Sequence, residues 1–375
     1  MSLFKILKDI IFGNTEETNS VKNNSEGFTI QVNYPEPPSR EIPSLELNLK
    51  GIKKSKNGLY PHEILILDYA SSYKMNESPN QGFWLYRYGV EDTKVILDKL
   101  YRSGFLIEAS IKESLSKETV NTLEHILKKY NLKMTGRKNE LLERISSEIP
   151  ENDLKEYVPV RSYALTDLGK EELASNEYVM YIHKKSIDDL DIWSLNKLIN
   201  KEPKMNYRDK LWGYLNTKGL KYFSKKEFGM YRNIRLQMVN FLIEEEKYVG
   251  AIPFLGEVIA IDLNECAMDS FAMDYYIENN LKMIFPYEES IYKLTPNTIS
   301  LGNEIIQKSN ISNEEAKKIM LEYLDKVNLE LNIFSKKECI DIFLFEKDGD
   351  TDQAKNIYEN TIKKYVNKAS KNLLK

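Results

Sequence analysis

Two stretches on either side of residues 111–158 constrain the fold of this chain more than any other feature. The first is "EDTKVILDKLYRSGFLIEAS" (residues 91–110). Asp92 suits a helix N-cap, and Val95, Ile96, Leu97, Leu100 and Tyr101 make an apolar stripe. Gly104 stops that helix, and Phe105 to Ile107 read as a strand. The second stretch is "RSYALTDLGKEELASN" (residues 161–176), with Tyr163 and Leu165 in a strand, then Thr166, then a helix through Gly169 and Leu173. At 375 residues the chain has room for two or three packed domains, and a hydrophobic fraction of 42% is enough to fold most of it.

Together the two stretches resemble the winged-helix pattern, in which a helix ends in L-x-x-x-G-[FL]-[LI] and the wing hairpin returns through Y-x-L-T-x-x-G-x-x-x-L. The resemblance implies a winged-helix-like domain made of residues 55–110 and 159–186, with residues 111–158 inserted at the wing. A hairpin tip accepts such an insertion because it is exposed and its ends stay close together. The fold class expected is mostly α with a small β component. Upstream, Pro61 can open a helix carrying Ile64, Leu65, Leu67 and Tyr69, and "GFWLYRYGV" follows with aromatic and β-branched character.

Residues 1–12, "MSLFKILKDIIF", place their apolar side chains mostly on one side of a short helix that packs on the protein, on a partner or against a membrane surface. Residues 13–45 combine Asn, Ser, Glu and four prolines, a composition that cannot offset ordering entropy, so residues 13–54 read as a flexible linker. From residue 187 to 375 the pattern is helical. Ser224 with Glu227, Ser312 with Glu315 and Ser335 with Glu338 read as capping boxes that start three helices. Residues 228–263 read as two antiparallel helices, with Met238, Phe241 and Leu242 facing Tyr248, Ala251, Ile252, Leu255 and Ile259. That pair resembles one tetratricopeptide-type hairpin, with no second copy at a 34-residue period.

The formal net charge is −4, yet five cations and no acid lie between Lys128 and Lys138. They fall between two short amphipathic helices, one with Leu123, Ile126 and Leu127 on its inner face and the other with Leu141, Leu142 and Ile145. Asn131 tolerates the left-handed conformation that ends a helix, Leu132 is expected between the helices, and Thr135 and Gly136 complete the turn. Lys128, Lys129, Lys133, Arg137 and Lys138 meet at that junction, where the first-turn N–H groups of the second helix also favour a phosphate. Residues 116–149 hold seven cations against five carboxylates, net +2, so the charge is focused rather than general. Five phosphate contacts would give a salt slope of about −4 on duplex DNA with little base readout.

The spacing Val120, Leu123, Leu127, Leu132, Gly136, Lys138, Leu141, Arg144, Ile145 resembles the SAP motif, a helix-extended-helix DNA-binding module. Glu124 stands where that motif often has lysine, and Asn131 where it often has glycine. The resemblance implies phosphate-backbone contact by Lys133, Thr135, Gly136, Arg137, Lys138 and Asn139, with Arg144 beside them. The whole arrangement resembles SAP-domain proteins of low-GC Gram-positive bacteria and their prophages or plasmids, which supplies an architecture but no activity. The helix from Asp92 to Arg102 could act as a second DNA reader or as scaffold, because Lys94, Lys99 and Arg102 stand against Glu91, Asp92 and Asp98.

Other chemistries find no pattern. Cys266 and Cys339 lie near no histidine, and His62, His125 and His183 are far apart, which argues against a disulfide framework and a zinc site. Asp348, Asp350, Asp352 and Glu359 have the spacing of a calcium loop, but Gln353 occupies the sharp-turn position, so they read as an acidic loop capping a helix. No phosphate loop and no paired-carboxylate, Ser-His or Cys-His arrangement is present. No apolar run reaches the ~20 residues of a membrane span. The expectation is a cytoplasmic, non-enzymatic protein without cofactor or metal, which binds double-stranded DNA through the module and a protein partner through its helical half. The alternative expectation is an assembly scaffold, phage or plasmid related, whose module does not meet nucleic acid.

Overall fold

The computed structural model describes residues 43–79, 81–264, 294–329, 331 and 333–373. The chain divides into two units, residues 1–42 and Pro43–Lys375. The expected N-terminal helix, most of the linker and Cys266 fall outside the described residues. The described part is mostly helical, with one two-stranded antiparallel sheet.

Helix α1 (Leu45–Asn48) corrects the linker boundary. Ser44 caps it, Leu45 and Leu49 pack on the first core, and Ile52 is buried in that core. The backbone of Lys53 is pinned by Asn196, with Lys53 N–H donating to Asn196 Oδ1 and Asn196 Nδ2 donating to Lys53 O, each at 3.0 Å. Residues 43–54 therefore belong to the folded body, because Leu45, Leu49 and Ile52 anchor them once a partner surface exists.

Helix α2 (Pro61–Tyr69) starts at Pro61 as expected and is buried on all sides over residues 61–67, which makes it the axis of the first core. Residues 83–88 form helix α3 (Phe83–Tyr88) despite their aromatic character. Tertiary packing decides this. Phe83, Trp84 and Tyr88 close around Tyr69 and His183, and Gly89 ends the helix in the left-handed region. Helix α4 (Thr93–Arg102) is capped by Asp92, and Gly104 follows it at φ 78°.

Strand β1 (Leu106–Glu108) pairs antiparallel with β2 (Tyr163–Leu165) in the register Leu106↔Leu165, Ile107↔Ala164, Glu108↔Tyr163. A single bridge from Lys74 to Ser162 borders β2 on its other side. Gly169 lies in the helix that follows β2, and a Cβ there would sit 2.3 Å from Phe105 O, so only glycine lets that helix press against the start of β1.

Between the strands run α5 (Ile111–Leu115), α6 (Val120–Lys129), α7 (Lys138–Glu148) and α8 (Glu151–Leu154). After β2 come α9 (Asp167–Ser175), α10 (Glu177–Lys184), α11 (Ile192–Lys201) and α12 (Tyr207–Ser224). The chain continues with α13 (Phe228–Glu244), α14 (Tyr248–Asp262), α15 (Pro296–Ser309), α16 (Asn313–Leu324), α17 (Lys336–Asp348) and α18 (Thr351–Leu373).

Three apolar cores result. The first contains α2 and both strands and takes in Ile187, Trp193, Leu195, Leu211 and Leu215 from α10–α12 and their joins. The expected boundary at residue 187 is therefore not where the cores divide. They divide at α13, which gives Ile234, Met238 and Phe241 to the first core and Tyr231, Val239 and Leu242 to the second. Helices α13 and α14 are antiparallel: Arg232, early in α13, binds Asp262 at the end of α14 at 2.7 Å, whereas Leu242, late in α13, lies over Gly250.

Ser312 and Ser335 form the expected capping boxes with Glu315 and Glu338. Ser224 does not. It is the last residue of α12, its Oγ donating to Lys221 O, because the apolar run of α12 carries the helix up to the serine. Asp350 accepts from Gln353 N–H in the first turn of α18, which fits an acidic loop capping a helix.

His62 is 3% exposed, packs tilted against Trp193 with ring centroids 5.4 Å apart, and has no hydrogen-bond partner at Nδ1. Burial pushes its pKa down from 6.5 to about 4, with Glu63 opposing the shift and Lys99 reinforcing it. The folded protein thus keeps His62 neutral where the unfolded chain would protonate it, so its contribution to stability is full above pH 6.5 and is lost as pH falls toward 4. The loss amounts to about 3 kcal/mol. His183 is also lowered to about 4, by burial first and then by Arg87 and Lys184, but it is half-buried and solvent screens its share. Urea unfolding between pH 7 and 4.5 should show stability falling with pH, with a shallower fall in His62→Phe. An unchanged pH profile in that variant would contradict this assignment.

Candidate nucleic-acid interface

The segment between the strands has its own core, drawn entirely from residues 111–158. Ile111, Leu115, Leu123, Ile126, Leu127, Leu141, Ile145, Ile149, Leu154 and Val158 bury against one another. Its ends are tied side by side. Ala109 N–H donates to Ser162 O at 2.9 Å, and Arg161 Nη1 donates to Ala109 O at 2.8 Å. The module leaves and rejoins the body at one place, beside the β1–β2 pair.

Helix α6 is capped by Thr119 and ends as its sequence suggests. Asn131 adopts φ 53°, its N–H bonds Lys128 O at 3.1 Å, and Leu132 N–H bonds Leu127 O at 2.8 Å. These two bonds are a Schellman closure, with asparagine in the left-handed position. Leu132 is half-buried against the module core rather than fully enclosed. Gly136 adopts φ 143°, and a Cβ there would sit 2.5 Å from Glu140 Oε2. The glycine thus makes room for Glu140 to accept from Arg137 N–H at 3.2 Å, which caps α7.

The expected contact residues divide into two groups. Lys128, Lys133, Thr135, Gly136, Arg137 and Asn139 are exposed and Lys138 is partly so. None of the four cations Lys128, Lys133, Arg137 and Lys138 forms an ion pair with a described residue. The backbone N–H groups of Lys138 and Asn139, in the first turn of α7, have no intrahelical acceptor. Lys129 and Arg144 are already engaged. Lys129 Nζ lies 2.6 Å from Glu156 Oε1 and over the Tyr157 ring, and the hydrogen bond to Glu156 raises its pKa above the ordinary lysine value. Arg144 Nη1 donates to the carbonyls of Lys133 and Thr135 and so braces the loop from below.

Sequence spacing missed both roles. Glu156 is 27 residues from Lys129, and nothing local announces the pairing. Glu140 escaped notice as a cap because its N-cap partner is Arg137 rather than Ser or Thr.

The corner that remains carries four unpaired cations around one capping carboxylate, a partly exposed helix start and an exposed Met134. Helix α4, the other candidate reader, presents less. Lys94 is paired with Asp98, and Lys99 with Glu63. Arg144→Ala should weaken any phosphate binding at the loop about three- to tenfold by loosening it, while leaving the salt slope within about 0.5 of its original value, because no phosphate contact is removed. A fall of a full unit or more, measured over a salt series, would instead make Arg144 a direct contact.

Compared with protein-family models, curated proteins and solved structures, the chain gives no match.

Proposed function

We propose that the protein binds duplex DNA through the corner formed by Lys128, Lys133, Thr135, Gly136, Arg137, Lys138 and Asn139, in a SAP-like module carried on the wing of a winged-helix-like body. The observation that supports this most is the concentration of four unpaired cations beside the open start of α7, in a chain whose net charge is −4. Duplex phosphates fit such a corner through charge and through backbone N–H groups together. Contact is backbone-dominated, and sequence preference is weak because few side chains are placed to read base edges. The second helical core, with its tetratricopeptide-like hairpin of α13 and α14, is free to hold a protein partner.

The salt dependence of binding tests the proposal. With Lys129 occupied by Glu156, four contacts remain, and a plot of log affinity against log salt should have a slope of about −3.6. Fluorescence anisotropy of the intact protein with a labelled duplex reads it directly. Absent or salt-independent binding would favour the assembly-scaffold reading, in which Glu140 and Glu156 serve to quiet the corner.

A further inference from the structure

A cavity of about 210 Å³ opens at the joint where the module meets the body. Glu113, Ser116 and Lys117 line it from the first helix of the module and the turn after it, Ser162 from the residue before β2, and Ser71 and Lys170 from the body. The space equals about seven waters at their liquid volume.

Ser162 is 2% exposed, and its backbone N–H is taken by Ser114 Oγ at 3.2 Å. Its own hydroxyl has no hydrogen-bond partner among the described residues, and the same holds for Ser71. Neither hydroxyl is enclosed within the protein, so both are open to the solvent of the cavity and free to bind what enters it. Lys117 forms no ion pair with a described residue. Lys170 meets Asp167 at 3.1 Å, but both side chains are largely exposed and such a pair yields easily.

Glu113 is the one carboxylate in the lining; Ser110 holds it, and the charges of Lys170 and Lys117 also reach it. Its Oε2 accepts from Ser110 N–H and from Ser110 Oγ, each at 2.8 Å, and those bonds hold its carboxyl below the ordinary range. Ser116 Oγ donates to Glu113 O at 2.6 Å. Two ammonium groups and two uncommitted hydroxyls therefore line a space that holds one carboxylate, which leaves an excess of positive charge. That set suits a compact dianion with three acceptor oxygens better than a carboxylate with two.

We infer that this cavity binds a phosphomonoester, with Lys117 and Lys170 balancing its charge and the hydroxyls of Ser71 and Ser162 donating to its oxygens. The site is separate from the Lys133 to Lys138 corner and stands whether or not that corner meets DNA. A phosphomonoester could come from a small metabolite or from the 5′ end of a nucleic-acid strand, and the two sources are separable by calorimetry on the full chain.

Glycerol 3-phosphate should bind saturably while glycerol does not, which would identify a free phosphomonoester. Binding only of a 5′-phosphorylated oligonucleotide, and not of its 5′-hydroxyl counterpart, would identify a strand end. In either case Lys117→Ala/Lys170→Ala should weaken binding at least about tenfold and Ser162→Ala about three- to tenfold. The lysines are exposed, so the double variant keeps the fold even if Ser162→Ala does not. Absence of binding by both phosphorylated probes, or equal binding by the double variant, would overturn the inference.

Discussion

Replacing Lys133, Arg137 and Lys138 together by alanine should lower duplex affinity by two to three orders of magnitude at about 0.1 M salt and reduce the salt slope from about −3.6 to about −0.9. The size follows from counterion release. Each phosphate neutralised contributes about −0.9 to the slope, and removing three contacts leaves Lys128 alone. The fold should not change, because Arg137 and Lys133 are exposed, Lys138 lies outside the module core, and Glu140 still caps α7 through the backbone of residue 137. Lys129→Ala should do far less, since its charge is spent on Glu156. Anisotropy over a salt series separates these outcomes, and a triple variant with the parent slope would remove these three residues from the interface.

The largest effect on stability is expected at the seam between the first and second cores. Glu257, 0% exposed, stands 2.8 Å from Arg235 Nε in a charge contact rather than an aligned hydrogen bond, and it also accepts from Tyr231 Oη. Burial raises the Glu257 carboxyl above its ordinary pKa, and Arg235 and Tyr231 act against that shift. The guanidinium packs over the rings of Tyr231 and Phe254.

Arg235→Met keeps most of the packing but strands a carboxylate in the interior. It should cost about 3–5 kcal/mol at neutral pH, as broken buried pairs do. Adding Glu257→Leu should recover most of that loss, because apolar pairs of similar volume replace buried ion pairs with little penalty. Denaturant midpoints of the parent, single and double variants test this, and a double variant no more stable than the single would contradict it.

Both predictions rest on features that were unequally legible in the sequence. Local signals read well. Asp92, Gly104, Asn131, Ser312 and Ser335 each act through bonds within a few residues, and the structure uses each as its chemistry suggests. The two strands were legible for the same reason, each being a short apolar run beside turn residues, although β1 lies at Leu106–Glu108, one residue later than the expected Phe105 to Ile107.

What depended on distant partners was not legible. Residues 83–88 become a helix because Tyr69 and His183 lie across from them, and Leu45 and Ile52 join the body because its surface accepts them. Ser224 has the spacing of a cap but stays inside α12, since neighbouring apolar residues outweigh one capping bond. At the candidate site the cations were countable from sequence, whereas which of them are spent was not. Lys129 and Arg144 look like phosphate ligands on paper, yet one is held by a carboxylate 27 residues away and the other by loop carbonyls.

The central claim is that the corner at Lys128 to Lys138 is the surface that meets the duplex. Lysine acetylation footprinting of the intact protein, with and without saturating duplex, tests it most directly. Lys128, Lys133 and Lys138 should become protected, while Lys129, Lys94 and Lys99 should change little because each is already paired with an acid. Unchanged modification at Lys128, Lys133 and Lys138 under conditions where the duplex is bound, with protection centred elsewhere, would contradict the claim.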